Sequence, residues 1–260
     1  MNDLRKYGSE PFTIAVIHGG PGAAGEMAPV AKEVSTYRSV LEPFQTVTSL
    51  EGQVEELKSA IEEYGKPPIT LVGYSWGAWL VFIVAAKYPN LVKKLILVGS
   101  GPFESKYAQD IMKVRLDRLN GQERNEVQEL LKELENSNAE NTNALKRLGE
   151  LMSKTDSYNP FPDEEKEHIE VQQNIYQGVW PEANDLRRSG KLLQLGEKIK
   201  CPVVAIHGDY DPHPAEGVRE PLSRVVKDFK FILLENCGHT PWIEQVAKNK
   251  FYEILKNQLN

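Results

Sequence analysis

Short runs of consecutive apolar residues alternate along the chain with longer segments that have helical periodicity. The clearest runs are residues 13–17, 69–72, 95–98, 203–206 and 231–234, with a weaker one at 39–41. Each has the length and composition of a buried strand. Unbroken apolar strands are typical of a parallel sheet, because helices cover such a sheet on both faces. The alternation therefore predicts an α/β fold with a mostly parallel sheet flanked by helices.

The segments between these runs carry the signals of helices. Thr48 and Glu51 have the spacing of a capping box, and one apolar face follows it at Leu50, Val54, Leu57 and Ile61. A second helix is predicted to end before Pro89, and it holds the longest apolar run, residues 80–86. That run is too short for a membrane span and is interpreted as a buried helix. The helices predicted further along are 216–227 and 241–259.

The strand pattern stops in the middle of the chain. Residues 103–189 show no convincing strand, only polar helices separated by Asn-, Ser- and Pro-rich joints near 136–143 and 157–162. We interpret this stretch as a helical cap inserted into one α/β domain. The predicted core is therefore made of residues 1–102 and 190–260.

The run Gly73-Tyr74-Ser75-Trp76-Gly77 lies between a predicted strand and a predicted helix. It fits the pattern G-x-S-x-G, in which a sharp strand-to-helix turn presents the serine hydroxyl at the end of a sheet. An ordinary β-to-α turn is the alternative, since glycine and serine are common in turns. The strand and helix on either side favour Ser75 as a catalytic nucleophile.

A second glycine-rich turn, His18-Gly19-Gly20-Pro21-Gly22, follows the first predicted strand. Adjacent glycines allow the backbone to aim an N–H group at a ligand. The N–H groups of Gly20 and Trp76 would together form an oxyanion hole. A phosphate-binding turn is the alternative, but no Walker-type lysine is present and the turn does not open directly into a helix.

The acid and base that a serine nucleophile needs are found after the last two predicted strands. Asp209 and Asp211 follow the first of these, and His239 follows the second. The order Ser75, Asp211, His239 is the order expected for a triad on this kind of sheet. The imidazole would take the serine proton and the carboxylate would orient the imidazole.

The remaining histidines are weaker candidates for catalysis. His18 and His207 lie at strand ends and are expected to bond within their own loops, His213 is stiffened by flanking prolines, and His168 belongs to the polar cap. The spacing of His207, Asp209, Asp211 and His213 resembles a metal site. One loop rarely supplies a whole site, and a triad accounts better for Asp211, so no metal and no cofactor are expected.

These motifs together resemble the α/β-hydrolase superfamily, and HGGPG with Trp76 resembles its proline iminopeptidase branch. The resemblance implies an α/β-hydrolase fold and the triad Ser75, Asp211 and His239, with Asp211 preferred over Asp209. It also implies a helical cap whose acids hold the substrate's free amino terminus. The chain departs from the branch in the elbow, where Gly-Tyr-Ser-Trp-Gly-Ala replaces Gly-Gly-Ser-Trp-Gly-Ser, and in a start too short for the usual leading antiparallel strands.

Among the acids of the cap, Glu182 is the first candidate for holding an amino terminus. It stands beside Trp180 and Pro181. The alternative is a glutamate that faces solvent, which is the usual position of this residue type.

Composition narrows the range of functions. The 260 residues carry a formal net charge of −6 and no basic block, which argues against a nucleic-acid partner. No membrane span and no signal peptide are expected. Cys201 and Cys237 are placed at opposite ends of the predicted sheet, too far apart for a disulfide. Two free thiols suit a cytoplasmic protein.

The sequence thus predicts a serine hydrolase of esters or small amides that works through an acyl-serine intermediate. Its substrate would be a small ester, an amide or a short peptide, with aminopeptidase action as the sharpest version. A small-molecule receptor on an intact hydrolase scaffold and a thioesterase are the alternatives. The oligomeric state and the natural substrate are left open.

Overall fold

The computed structural model describes residues 4–135, 142–162 and 170–260. The strands are β1 (Leu4–Tyr7), β2 (Ile14–Ile17), β3 (Ala23–Ala24), β4 (Val40–Pro43), β5 (Ile69–Tyr74), β6 (Val92–Val98), β7 (Glu170–Val171), β8 (Val203–Gly208) and β9 (Phe229–Leu234). The helices are α1 (Ala28–Ser35), α2 (Leu50–Tyr64), α3 (Trp76–Lys87), α4 (Ile111–Asp117), α5 (Gly121–Glu135), α6 (Thr142–Asp156), α7 (Gln173–Arg188), α8 (Lys191–Gln194), α9 (Glu216–Val225) and α10 (Lys248–Leu259). Short 3₁₀ turns occupy Ser105–Ala108, Leu195–Lys198 and Pro241–Ile243.

Within the described residues the main sheet has seven strands in the order β1-β4-β2-β5-β6-β8-β9. All neighbours pair in parallel except β1, which runs antiparallel to β4 at the edge. The predicted mostly parallel sheet is therefore confirmed. The sequence interpretation expected the start of the chain to be too short for the usual leading antiparallel strands, and the structure has one such strand, β1.

Apolar layers pack on both faces of the sheet. One layer is made with α2, α3 and α9, and the other with α1 and α10. The residues of α3 are buried from Trp76 to Ala86, which agrees with the interpretation of its apolar run as a buried helix. Among the described residues, no helix combines the length and the apolar character that crossing a membrane would take.

Two helix starts differ from the sequence prediction. Helix α2 is capped by Ser49 and not by Thr48, because the Ser49 hydroxyl accepts the Gly52 N–H at 3.2 Å. The last helix begins at Lys248, seven residues later than predicted. The residues before it do not join this helix. Among them, the buried Glu244 carboxylate accepts hydrogen bonds from backbone N–H groups of other loops.

The stretch predicted to be a cap holds α4, α5, α6 and α7. It also contains β7, which the sequence interpretation missed. This two-residue strand pairs antiparallel with β3, in the segment that follows the glycine-rich turn. Pairing of two such short strands depends on tertiary contact and leaves little periodic signal in the sequence. His168 and most of the joint near 136–143 lie outside the described residues.

Both cysteines are buried free thiols, as predicted. Cys201 precedes β8 and Cys237 follows β9. Burial raises the pKa of the Cys201 thiol to about 11. Burial, with the nearby Glu244 carboxylate, also raises the pKa of Cys237. Both sulfurs are therefore held in the unreactive protonated form at neutral pH.

The close approach of β5 to α3 predicts a large cost for a methyl group at Gly73. A Cβ there would lie 2.3 Å from the Gly77 carbonyl oxygen and 2.8 Å from Ala78 Cα. Backbone atoms cannot yield as a flexible side chain can, so Gly73→Ala should destabilise the fold by at least about 1–3 kcal/mol. Urea unfolding followed by circular dichroism measures this loss.

Gly149→Ala is the matched control. Gly149 lies inside α6, and a Cβ there meets nothing within 4 Å. Alanine should stabilise this helix by up to about 1 kcal/mol. Equal unfolding midpoints for Gly73→Ala and the unaltered protein would contradict the packing described here.

Candidate active site

Ser75 occupies a strained turn between β5 and α3. Its φ of 53° and ψ of −115° are unusual for a residue with a side chain. The turn is tight because glycines two residues to either side let backbone segments touch. A Cβ on Gly77 would lie 2.4 Å from the carbonyl oxygens of Ile17 and His18. The geometry matches the predicted strand-to-helix elbow and leaves the Ser75 side chain half-buried at the end of the sheet.

The structure brings Ser75, His239 and Asp211 into one hydrogen-bonded chain. His239 Nε2 lies 3.0 Å from Ser75 Oγ, and His239 Nδ1 lies 2.6 Å from Asp211 Oδ2. An ionised carboxylate can only accept hydrogen bonds, so Nδ1 of His239 carries the proton. Nε2 of the neutral ring is then an acceptor that faces the serine hydroxyl. This arrangement can move the Ser75 proton to an imidazole whose tautomer is fixed.

Asp209, the other candidate acid, points elsewhere. Its Oδ1 accepts the backbone N–H of Cys237 at 3.1 Å and so ties the loop after β8 to the loop after β9. The Asp211 side chain, by contrast, is fully enclosed beside His239. The geometry therefore favours Asp211 as the orienting acid, as the sequence interpretation does.

Burial and charge oppose one another in the pKa values of this pair. Burial would raise the pKa of Asp211, but His239, His213 and His207 together hold it well below its ordinary value. Burial would lower the pKa of His239, but the Asp211 carboxylate outweighs it and the pKa is raised above 6.5. Asp211 thus stays ionised, and it stabilises the imidazolium that forms when His239 takes a proton.

The predicted oxyanion donors lie on the two segments that meet at Ser75. Gly20 has φ +31°, a conformation that favours glycine, and Trp76 is the first residue of α3. A Cβ on Gly19 would lie 3.0 Å from Ser75 Cβ, so the glycine-rich turn packs directly against the serine. The first N–H groups of a helix have no partner within the helix and are available to an anion. Their role as an oxyanion hole remains a prediction.

Gln45, which the sequence interpretation missed, connects these two segments. His18 Nε2 accepts the Gln45 backbone N–H at 3.3 Å, and the Gln45 side chain donates to the His18 carbonyl at 3.1 Å. The Trp76 indole donates to Gln45 Oε1 at 2.7 Å. Burial lowers the pKa of His18 to about 4, so the ring is neutral and serves as part of this scaffold. An isolated glutamine in a loop gives no sequence signal for such a role.

A second residue without a sequence signal is Glu26. Its Oε2 accepts the Gly19 N–H at 3.0 Å. A Cβ placed on Gly19 would lie 2.7 Å from this Glu26 oxygen and 3.0 Å from Ser75 Cβ, so Gly19 is flanked by both groups. Burial raises the pKa of Glu26 to about 7, against the opposing effects of His239 and the Gly19 N–H. A carboxyl group that titrates near neutrality therefore lies beside the predicted nucleophile.

The loop that carries His239 is held by residues around the end of α6. The backbone N–H of His239 donates to the Asp156 carbonyl at 2.7 Å. The Asp156 carboxylate accepts two hydrogen bonds from Arg115 of α4, at 2.7 and 2.5 Å. Glu244 accepts the N–H groups of Tyr158, Asn159 and Gly238 at 2.8, 2.7 and 2.9 Å. Segments from the predicted cap thereby fix the position of His239.

The remaining histidines have defined partners. His18 Nδ1 lies 2.8 Å from the Gly19 carbonyl, which is the local role predicted for it. His207 Nε2 lies 2.7 Å from the His213 carbonyl, which is also within its own loop. His213 lies close to Asp211, and its ring Nδ1 bonds to Asp211 Oδ1 at 2.8 Å, a contact that the sequence interpretation did not predict.

Asp211, His213 and His239 have donor atoms that all lie within 4.8 Å of one another. That spacing could suit a metal ion. Both histidines, however, donate their Nδ1–H to the Asp211 carboxylate, and a metal bound at those nitrogens would have to displace both protons. The hydrogen-bonded triad accounts for the same geometry without a metal.

Glu182 lies on the surface of α7 and not in the hydrogen-bonded chain of the triad. Its Oε2 accepts the backbone N–H of Leu50 at 2.8 Å, at the N-terminus of α2. A carboxylate in this position caps the helix and complements its dipole. Its predicted contact with a substrate amino group remains a prediction.

Comparison with known proteins places this geometry in context. The family described as alpha/beta hydrolase fold matches residues 21–245. Monoacylglycerol lipase ABHD6 of Homo sapiens is 29% identical over 212 residues, which are 77% of this chain and 58% of that protein. The chain thus spans a little more than half the length of this curated relative.

Two solved structures are similar over nearly the whole chain. VinJ has a TM-score of 0.70 at 16% identity, with 98% of this chain and 93% of VinJ covered. The proline iminopeptidase of Mycobacterium smegmatis has a TM-score of 0.64 at 15% identity, with 98% and 93% covered. Likeness at these identities shows the fold alone. It confirms the predicted fold class, and it does not single out the iminopeptidase branch.

The raised pKa of His239 predicts the pH dependence of turnover. The base must be neutral, so kcat/KM should rise through a pKa above 6.5 and then reach a plateau. Asp211→Asn should move this limb to lower pH, because the anion that stabilises the imidazolium is gone. The rate should fall by roughly 10³- to 10⁴-fold. Initial rates on a neutral ester between pH 5 and 9 measure both effects.

Two controls belong to this experiment. Glu26→Gln removes the buried carboxyl group whose pKa is about 7, so an acid limb that persists in this variant belongs to His239. Asp209→Asn should leave the limb in place and cost much less rate. A greater loss from Asp209→Asn than from Asp211→Asn would mean that Asp211 is not the orienting acid.

Proposed function

The chain belongs to the α/β-hydrolase fold family, and on that premise we propose that it hydrolyses carboxylic esters through an acyl-serine intermediate. The observation that carries the proposal is the chain of hydrogen bonds from Ser75 through His239 to Asp211. A serine hydroxyl is a weak nucleophile at neutral pH and needs a base within hydrogen-bonding distance. His239 meets that requirement at 3.0 Å.

Acylation begins when Ser75 Oγ attacks the ester carbonyl carbon while His239 Nε2 takes the hydroxyl proton. The carbonyl oxygen becomes an oxyanion, which the N–H groups of Gly20 and Trp76 stabilise. Asp211 stabilises the imidazolium through the 2.6 Å hydrogen bond to Nδ1. His239 then gives its proton to the leaving alcohol, and the carbon–oxygen bond to that alcohol breaks.

Deacylation repeats these steps with water as the nucleophile. His239 Nε2 accepts a proton from water as its oxygen attacks the acyl carbon. The oxyanion forms again in the same place, and collapse returns the proton to Ser75 Oγ. The carboxylic acid leaves and the free hydroxyl is restored.

Esters with an apolar part are the favoured substrates. Three aromatic rings stack between α3 and α7, with Trp79 and Trp180 6.1 Å apart and Tyr176 6.0 Å from Trp180. Tyr176 is 38% exposed, so the stack presents an apolar face to solvent. Such a face suits an acyl or alkyl group. The likeness to a monoacylglycerol lipase supports an ester in preference to a peptide.

Aminopeptidase action is the narrower candidate, and it rests on the resemblance of HGGPG and Trp76 to the proline iminopeptidase branch. It requires a carboxylate that holds the substrate's amino group, and Glu182 is the residue predicted for that task. Its present partner is the Leu50 N–H. The ester proposal does not depend on Glu182.

Ser75→Ala and His239→Ala should each lower ester turnover by several orders of magnitude, because each removes a member of one relay. The double variant should be scarcely slower than either single variant, since residues that act as a unit are strongly non-additive. Initial rates on p-nitrophenyl acetate and p-nitrophenyl butyrate measure all three. Far-UV circular dichroism should be unchanged. Losses that multiply in the double variant would mean that the two residues do not act in one relay.

A substrate panel separates ester from aminopeptidase action. We expect p-nitrophenyl esters to be turned over and prolyl arylamides to be left intact. Glu182→Gln should leave ester kcat and KM within about twofold, because the Gln oxygen can still accept the Leu50 N–H. Asp185→Asn, at another exposed acid of α7 that pairs with Arg188, is the control for surface charge.

The opposite pattern would favour the peptidase. Prolyl arylamides would then be hydrolysed, and Glu182→Gln, but not Asp185→Asn, would raise their KM without changing ester KM. That result would overturn the preference for esters and assign the substrate's amino group to Glu182.

A further inference from the structure

The Asp211 carboxylate accepts more hydrogen bonds than a triad requires. Oδ2 faces His239 Nδ1 at 2.6 Å. Oδ1 accepts two further bonds from His213, one from its backbone N–H at 2.9 Å and one from its ring Nδ1 at 2.8 Å. Since the carboxylate is acceptor-only, the Nδ1 atoms of both histidines carry protons. Two imidazoles thus share one carboxylate.

Both the backbone and the ring of His213 have further contacts. His207 Nε2 lies 2.7 Å from the His213 carbonyl oxygen, and a carbonyl can only accept, so this nitrogen donates. The His213 ring packs on the His239 ring, with centroids 4.6 Å apart and planes at 32°. Only 15% of the His213 side chain is exposed. The ring is therefore held in one orientation by the same groups that form the predicted triad.

Burial, together with the positive charges nearby, keeps the His213 ring neutral. Burial lowers its pKa, Asp211 opposes that effect, and the positive charges of His239 and Arg115 add to it. Asp211 faces His213 from the same loop after β8, and His239 faces it from the loop after β9. His207 lies at the end of β8, and Arg115 lies on α4. A neutral donor can hold Asp211 without placing a second cation beside His239 when that residue takes the serine proton.

We propose that His213 is a positioning residue that fixes Oδ1 of Asp211, keeps Oδ2 aimed at His239 and shares the carboxylate's charge. The inference rests on the proposed function, because it assigns His213 a part in the same relay. A hydrogen bond held in place on one oxygen restricts rotation of the carboxylate. It also draws negative charge away from Oδ2, so His239 is a weaker base than it would be beside an unshared carboxylate.

The test compares two variants of His213. His213→Leu removes the ring donor and keeps much of the volume. His213→Asn can place an amide N–H near the position of Nδ1 and so restore the bond to Oδ1. Removing a hydrogen bond to a charged group should lower kcat of the Leu variant by about 10- to 100-fold. KM for a neutral ester should change little, because His213 acts through Asp211.

The pH dependence of kcat/KM separates a positioning role from a merely structural one, because loss of a structural residue would not shift its acid limb. With the charge of Asp211 no longer shared, the pKa of His239 rises, so the acid limb of kcat/KM in His213→Leu moves to higher pH. The Asn variant should recover most of kcat and return the limb to its original position. Urea midpoints show whether either variant is altered in fold, and His213→Ala, which also lacks the ring donor, takes the place of the Leu variant if that one does not fold.

The rate of Ser75 phosphonylation by a fluorophosphonate is measured in parallel, because it needs the same base and no ester substrate. If the unaltered protein hydrolyses esters and is labelled, but His213→Asn and His213→Leu keep its rates and pH limb, the proposed role of His213 is wrong and the proposed function stands. Equal losses in Asn and Leu variants of unchanged stability would also overturn it, as would a rise in KM alone. If the unaltered protein neither hydrolyses esters nor is labelled, the proposed function itself fails.

Discussion

Much of the surrounding structure stabilises the strained backbone turn at Ser75. A side-chain-bearing residue at φ 53° costs of order 1–3 kcal/mol, and the turn persists only where its surroundings fix it. Burial of β5 and α3 on both sides supplies that constraint, and the glycines at 73 and 77 remove the side chains that would prevent it. The result is a hydroxyl at the end of the sheet, against the glycine-rich turn and the first N–H groups of a helix.

The partners of that hydroxyl come from distant parts of the chain and are fixed by buried polar bonds. Three backbone N–H groups donate to Glu244, and the Asp156 carbonyl accepts the N–H of His239. The Glu244 carboxylate and the Asp156 carbonyl thus connect segments of the predicted cap to the histidine loop. Breaking one such bond leaves a buried polar group unsatisfied, which costs more than the bond itself contributes. The position of His239 is thereby coupled to the helices above it.

The parts of the site that could be predicted are those with a local signature. Apolar runs identified the parallel strands, and Gly73 to Gly77 identified the elbow, because both depend on neighbours in sequence. Glu26 and Gln45 could not be predicted, since their contacts with the segments around Ser75 depend on which loops meet at the end of the sheet. The contact of His213 with Asp211 is local, but it depends on how the turn after β8 orients the two side chains. The start of α2 was misplaced by one residue for a related reason: Ser49 caps Gly52 N–H, while a carboxylate 132 positions away in sequence caps Leu50.

The central claim is that Ser75 is the nucleophile of an ester hydrolase, and covalent labelling tests it most directly. Intact-protein mass after exposure to a fluorophosphonate should show one phosphonyl group per chain, and peptide mapping should place it on Ser75. Ester hydrolysis should be lost in proportion to the labelled fraction. An adduct on another residue, or hydrolysis that continues at full rate in fully labelled protein, would contradict the account.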